Sequence, residues 1–153
     1  MKIKDISSKE FKSIYSRVPR LCVEVIIQTQ DGILLTKRAI TPCKGEWHTP
    51  GGTVIKGERL EQTVKRVAKA ELGLKIRIKE ILGVIEYTDI KNYFGHAISI
   101  AFLAEPISRH RIKLDYQASE FGFFKKMPPH TIKDQKRFLE KFLKRKTKQN
   151  IWI

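Results

Sequence analysis

Residues 51–74, GGTVIKGERLEQTVKRVAKAELGL, decide how the rest of the chain is read. Two glycines follow Pro50, and Thr53-Val54-Ile55 is a short extended run. A turn at Lys56-Gly57 leads into a helix that ends at Leu72, with Gly73 placed just past it as the left-handed terminator. Leu60, Val64, Val67, Ala68 and Leu72 recur at three- and four-residue steps, enough for one buried face. Read as helical, Glu58 and Arg66 fall about two turns apart, while Glu71 sits near the C-terminal end. A tight glycine turn with open carbonyls, facing a helix that carries a carboxylate, suits a hard divalent cation. Mg²⁺ takes oxygen ligands and keeps several waters, so one or two carboxylates plus substrate phosphates suffice.

The spacing also resembles a known pattern. Gly52, five residues, Glu58, seven residues, Arg66, then Glu71-Leu72-Gly73-Leu74 is similar to the Nudix box, residues 52–74 here, of nucleoside-diphosphate-X hydrolases. Two acids of that box are absent: Val67 stands where a glutamate follows the arginine, and Ala70 replaces the first of a glutamate pair. The run Arg66-Val-Ala-Lys-Ala-Glu-Leu-Gly resembles the thinned box of one branch, the GDP-mannose mannosyl hydrolases. Gly45-Glu-Trp47-His-Thr-Pro50-Gly-Gly is likewise similar to the approach to the box in that superfamily. The resemblance implies an α/β fold, a mixed, curved β-sheet sandwiched between helices, with the box helix under the glycine turn.

Composition sets the outer limits. The 153 residues, 41% of them hydrophobic, suit one globular domain spanning 1–153. The N-terminus, MKIKDISSKEF, has no apolar signal core and no run is long enough to span a bilayer, so a cytoplasmic location is the expectation. Cys22 and Cys43 match no zinc or redox spacing and read as a packed residue and a loop residue. A net charge of +15 favours anionic ligands in general. Its lysines are scattered, however, and charge alone names no partner.

Outward from the box, Ser7-x-x-Glu10 is a capping box that opens a helix through Tyr15 or Ser16. Residues 21–29, LCVEVIIQT, read as a strand interrupted by Glu24, which is either solvent-facing or part of a site. Gln30-Asp31-Gly32 is a hairpin turn, and 33–37 returns as the second strand. Arg38 offers a planar fork suited to phosphate, whereas Lys37 should point to the other face. Trp47 is expected to pack against the box helix, and His48 to be a structural histidine. Residues 75–88 form a long strand bent at Gly83, the polar loop 89–95 rims the site or turns a hairpin, and 96–104 pairs back. Residues 114–124 end in an aromatic strand, and 131–146 form a helix with the stripe Phe138, Leu139, Phe142 and Leu143. Its basic remainder is a solvated face or a contact for RNA.

The resemblance also implies roles for individual residues. It assigns metal contact, by Mg²⁺ with Mn²⁺ as the alternative, to the Gly51 carbonyl, Glu71 and Gln117. Arg38 and Arg66 would neutralise a bound diphosphate, and Glu24 matches an acid that contacts substrate. Glu58 would hold Arg66, while Gly52 and Gly73 would shape the box. Two departures stand out: Ala97 replaces a substrate-contacting tyrosine, and Ala118 follows Gln117 where the branch has its general-base histidine. Glu120, then Glu24, are the candidate substitutes for that base.

The implied substrate is a small nucleotide, a nucleoside diphosphate linked to another group such as the mannose of GDP-mannose. Attack at the sugar carbon releases nucleoside diphosphate and needs fewer metal-binding acids than attack at phosphorus. A pyrophosphohydrolase cleaving at phosphorus, with Asp115 or Glu120 as a ligand, stays open. So does a catalytically weak protein that binds nucleotide or RNA. A homodimer is expected from the resemblance alone.

Overall fold

Ser7 and Glu10 exchange hydrogen bonds, Ser7 N to Glu10 Oε2 at 2.7 Å and Glu10 N to Ser7 Oγ at 3.2 Å. They cap α1 (Ser8–Tyr15), as the capping-box spacing predicts. The computed structural model describes residues 6–87, 94–107, 111–145 and 148–153, with the backbone alone at Trp152. Thr88 and most of the predicted polar loop (88–93), part of the basic connector (108–110) and the predicted helix end at Lys146 therefore lie outside the described residues.

After α1 come β1 (Arg20–Thr29) and β2 (Gly32–Arg38), an antiparallel hairpin with Thr29 opposite Gly32. β3 (Trp47–His48) pairs with β2, and β4 (Gly51–Thr53) with β1. Then follow α2 (Leu60–Leu72), β5 (Ile76–Tyr87) and β6 (Ala97–Pro106). β5 and β6 pair antiparallel, as their alternation predicts, but β6 runs parallel to β1. β7 (Ala118–Phe124) pairs with β2, α3 (Lys133–Lys144) follows, and β8 (Ile151–Trp152) lies parallel to β5. The path is β3-β2-β1-β6-β5-β8, with β4 attached to β1 and β7 to β2: a mixed sheet.

The period-two alternation of β1 sends its side chains to two cores. Val23, Val25 and Ile27 meet Val64, Val67, Ala68 and Leu72 of α2. Cys22 and Ile26 share the other core with Phe138, Leu139 and Phe142 of α3. Helices thus cover both faces, which is why β1 reads as an almost unbroken apolar run. Each fully buried Leu, Val or Ile contributes on the order of 1.5–3 kcal/mol. Helix α2 ends where predicted: Gly73 adopts φ 67°, and its N–H reaches the Lys69 carbonyl at 3.0 Å. A side chain there would cost roughly 1 kcal/mol in this left-handed conformation.

Three local expectations are corrected. The extended run after Pro50 is Gly51–Thr53 rather than 53–55, because Gly51 and Gly52 pair with Glu24 and Val23 of β1. Glu58 precedes α2, its backbone N–H bonded to the Ile55 carbonyl at 2.9 Å, so it reaches Arg66 from the turn and not along the helix. Trp47 packs in the α3 core and not on α2: its ring meets Phe124 edge-on at 4.9 Å, and its backbone bonds to His130 and Ile132. The bend expected at Gly83 is present as a register shift against β6, and there the C-terminal Ile151 lies against the strand, which local pattern did not foretell.

Candidate functional site

The β1–β4 pairing brings the glycine turn against Glu24, and the β2–β7 pairing brings Arg38 opposite Ala118. Between them opens a cleft of about 200 Å³, lined among others by Glu24, Arg38, Gly51, Gly52 and Gln117. Five residues singled out in sequence, from four separate segments, thus share one cavity. His48, Thr49, Tyr87 and Gln135 also line it.

Glu24 is not the solvent-facing residue that alternation allowed; it is 6% exposed. Thr49 Oγ1 donates to its Oε2 at 2.8 Å, and Tyr87 OH donates to its Oε1 at 3.0 Å. Burial pushes its carboxyl up to about 7, with the hydrogen bonds from Thr49 and Tyr87 pulling the other way. Thr49 is itself held by Gln135 of α3, whose Oε1 accepts the Thr49 N–H at 2.8 Å. Tyr87, Thr49 and Gln135 carry no motif, so only their convergence on Glu24 reveals them.

Glu71 is 8% exposed and is not among the cleft-lining residues, yet its charge senses the same region. Burial, then the charges of Asp115 and Glu24, push its carboxyl up to about 8. No hydrogen bond or ion pair holds it among the described residues. A buried carboxylate of this kind is costly without a compensating cation. Among the described residues no three His, Cys, Asp or Glu side chains form a ready cation cage. The donors at hand are a carboxylate at Glu71, the amide of Gln117 and the Gly51 carbonyl, all hard oxygens. That set fits a Mg²⁺-type ion completed by water and substrate phosphate.

The two arginines separate. Arg38 Nε donates to the Pro42 carbonyl, and its terminal amino groups have no protein partner among the described residues. Arg66 is instead held by Glu58, the pairing that the resemblance implies. Its Nε and Nη2 bind Glu58 at 2.7 and 2.8 Å, and Nη2 also reaches the Thr53 carbonyl at 2.9 Å. This strut ties α2 to the end of the glycine turn. The Arg66 guanidinium, then a hydrogen bond from Thr63, holds the Glu58 carboxyl down to about 2 against its partial burial.

Glu120, the other candidate base, lies apart from these groups. It sits opposite Lys37 on β7, pairs with that lysine at 3.0 Å, is 54% exposed, and does not line the cleft. Lys37 alternates with Arg38 along β2, so its partner faces away from the arginine. His48 lines the cleft, but burial holds it down to about 3, and its Nε2 lies 3.1 Å from Thr36 Oγ1. It is a neutral, structurally engaged ring.

Buried carboxylates and an open arginine fork around a glycine turn form a site for a charged phosphoryl substrate, on a frame of mixed sheet between two helices that hydrolases of this class share. The chain belongs to the NUDIX domain family, which it matches over residues 18–146, and it is a Nudix-type hydrolase. It is 32% identical over 134 residues to the low-salt glycan biosynthesis protein Agl8 of Haloferax volcanii, covering 82% of this chain and 81% of that protein. It is 40% identical over 106 residues to an ADP-ribose pyrophosphatase of Methanocaldococcus jannaschii, covering 69% of this chain and 62% of the relative. Among solved structures, a MutT NUDIX hydrolase from Burkholderia pseudomallei superimposes with a TM-score of 0.72 at 28% identity, over 80% of this chain and 97% of that one. Nudix hydrolases act on nucleoside diphosphates linked to another group and generally use divalent metals. No helix among the described residues is long and apolar enough to cross a membrane.

Proposed function

We propose that this protein hydrolyses a nucleotide sugar, GDP-mannose being the first candidate, by attack of water at the sugar carbon. Glu24 is the general base of this reading. The observation that carries it is the setting of that carboxylate: buried in the cleft beside Gly51 and gripped on both oxygens, with burial pushing it up to about 7. A base poised near the working pH is in the right range for proton abstraction. Glu24 thereby takes the place of the histidine that Ala118 cannot supply. It removes a proton from water as the oxygen bonds to the anomeric carbon, and the carbon–oxygen bond to the diphosphate breaks.

The open fork of Arg38 lies where it can neutralise the departing diphosphate. Gly51, Glu71 and Gln117 would hold a Mg²⁺ ion, which when bound supplies further positive charge to the phosphates. A box with Glu71 as its single metal-binding acid suits a leaving-group role better than activation of water at phosphorus. The name of the Haloferax relative, a glycan biosynthesis protein, supports a sugar-linked substrate.

Cleavage at phosphorus is the second reading, favoured by the 40% identity to an ADP-ribose pyrophosphatase. Turnover of nucleotide sugars and ADP-ribose in ¹⁸O-water with Mg²⁺, followed by phosphorus NMR, separates the two. Label in the sugar with unlabelled nucleoside diphosphate supports carbon attack. Label on phosphate establishes the second reading.

A further inference from the structure

Asp115 stands outside the box, two residues before Gln117, and its carboxylate spends both oxygens on that residue. Gln117 N–H donates to Oδ1 at 3.0 Å and Gln117 Nε2 donates to Oδ2 at 2.9 Å. The segment is pinned on its other side, where the Gln117 carbonyl accepts the Ala39 N–H at 2.8 Å, next to Arg38.

A carboxylate can only accept, so the amide group that faces it has to be the NH₂. The Gln117 amide oxygen is thereby turned away from Asp115. Without that partner the amide would gain either orientation, and half a turn would present an NH₂ group, which repels a cation. Gln117 lines the cleft with Gly51 and Glu24. Glu71, 8% exposed and without a hydrogen-bonding partner among the described residues, feels the Asp115 charge directly after the effect of its own burial. Asp115 is therefore near the cation-binding end of the site while its oxygens are occupied by Gln117.

We propose that Asp115 is a positioning residue: it selects the orientation of the Gln117 amide that offers its oxygen to a divalent cation. This rests on the assignment of the cation to Gly51, Glu71 and Gln117. Groups that orient metal ligands typically change affinity about 10–100-fold when removed.

The test is Mn²⁺ binding to the full chain without substrate, read from the electron paramagnetic resonance of free Mn²⁺. Asp115→Asn can both donate to and accept from the Gln117 amide, so it no longer chooses an orientation. We expect it to weaken Mn²⁺ binding about 10-fold or more, with an unchanged circular dichroism spectrum. In the Gln117→Glu background either carboxylate oxygen can face the ion, so adding Asp115→Asn should cost nothing. Equal weakening in both backgrounds would mean a general loss of charge or of folding and would overturn the proposal, as would full affinity in Asp115→Asn alone. Glu71→Gln tells the underlying assignment apart. If wild-type protein binds Mn²⁺ no better than Glu71→Gln, the cation site itself is wrong and the proposal falls with it.

Discussion

Gly51 faces Glu24 across the β1–β4 pair so closely that a methyl group on Gly51 would lie 2.6 Å from Glu24 Oε2. The same methyl would lie 2.8 Å from the Val23 carbonyl oxygen, which is backbone and cannot swing aside. The glycine is required by the close approach of a strand and a buried carboxylate. Gly51→Ala should therefore displace Glu24, or the turn itself, by a fraction of an ångström to an ångström. Misplacement of that size costs about 100-fold in rate, with roughly 1–3 kcal/mol of stability lost to overpacking. Steady-state kinetics beside thermal denaturation would check both; wild-type kcat in a folded Gly51→Ala protein would show that the contact has no catalytic consequence.

Glu24→Gln keeps the shape and removes the base. We expect kcat to fall about 10²–10⁴-fold. Tyr87→Phe keeps the ring, fully committed to the α3 core, and deletes one donor to Glu24. Hydrogen bonds to charged groups are worth about 1.5–3 kcal/mol, so a loss of roughly 10- to 100-fold in kcat/KM is expected. An unimpaired Glu24→Gln enzyme would remove this carboxylate from the mechanism.

Acid should weaken the Glu58–Arg66 strut. The Glu58 carboxyl is held down to about 2 in the fold, from an ordinary value of 4.5. Its contribution is complete above pH 4.5, where the unfolded carboxyl is also ionised, and is lost as pH falls from 4.5 toward 2. The full amount is about 3 kcal/mol. His48 acts in the same direction at higher pH, because the unfolded ring takes up a proton below 6.5 that the buried ring refuses down to about 3. Between pH 7 and 4.5 the raised Glu24 and Glu71 carboxyls act oppositely, because the fold takes up their protons first, so the strut is read below 4.5. Urea denaturation from pH 4.5 to 3 should show falling stability, and Glu58→Gln should flatten that fall. A slope there identical to wild type would contradict the assignment.

Glu120→Gln should change kcat/KM less than twofold, since its carboxylate is half in solvent and paired with Lys37. Surface pairs of this sort contribute about 0–1 kcal/mol, so the melting temperature should hardly move. A tenfold fall in kcat alone would restore Glu120 as a candidate base.

The elements nearest in sequence were the most legible. The capping box at Ser7 and Glu10, the Asp31-Gly32 turn and the termination of α2 at Gly73 all depend on contacts within a few residues. Helix ends and tight turns are decided by local dihedral preference and by which backbone groups lack partners. The resemblance to the mannosyl hydrolases also singled out Glu24, Arg38, Gly51 and Gln117, which line one cleft. Where Trp47 packs and what Glu120 pairs with depend on which distant neighbour claims the side chain, so local pattern could not give them.

Amino-acid order by itself determined the box, its two missing acids, the helix that carries Glu71 and the alternation that covers both faces of β1. Only the tertiary structure decided that Glu24 is buried and gripped by Thr49 and Tyr87, that Gln135 of the last helix braces Thr49, and that Asp115 holds the Gln117 amide. Periodicity says which face of an element is apolar, whereas a carboxylate's ionisation depends on solvent exclusion and on donors supplied from 25 and 63 residues away along the chain.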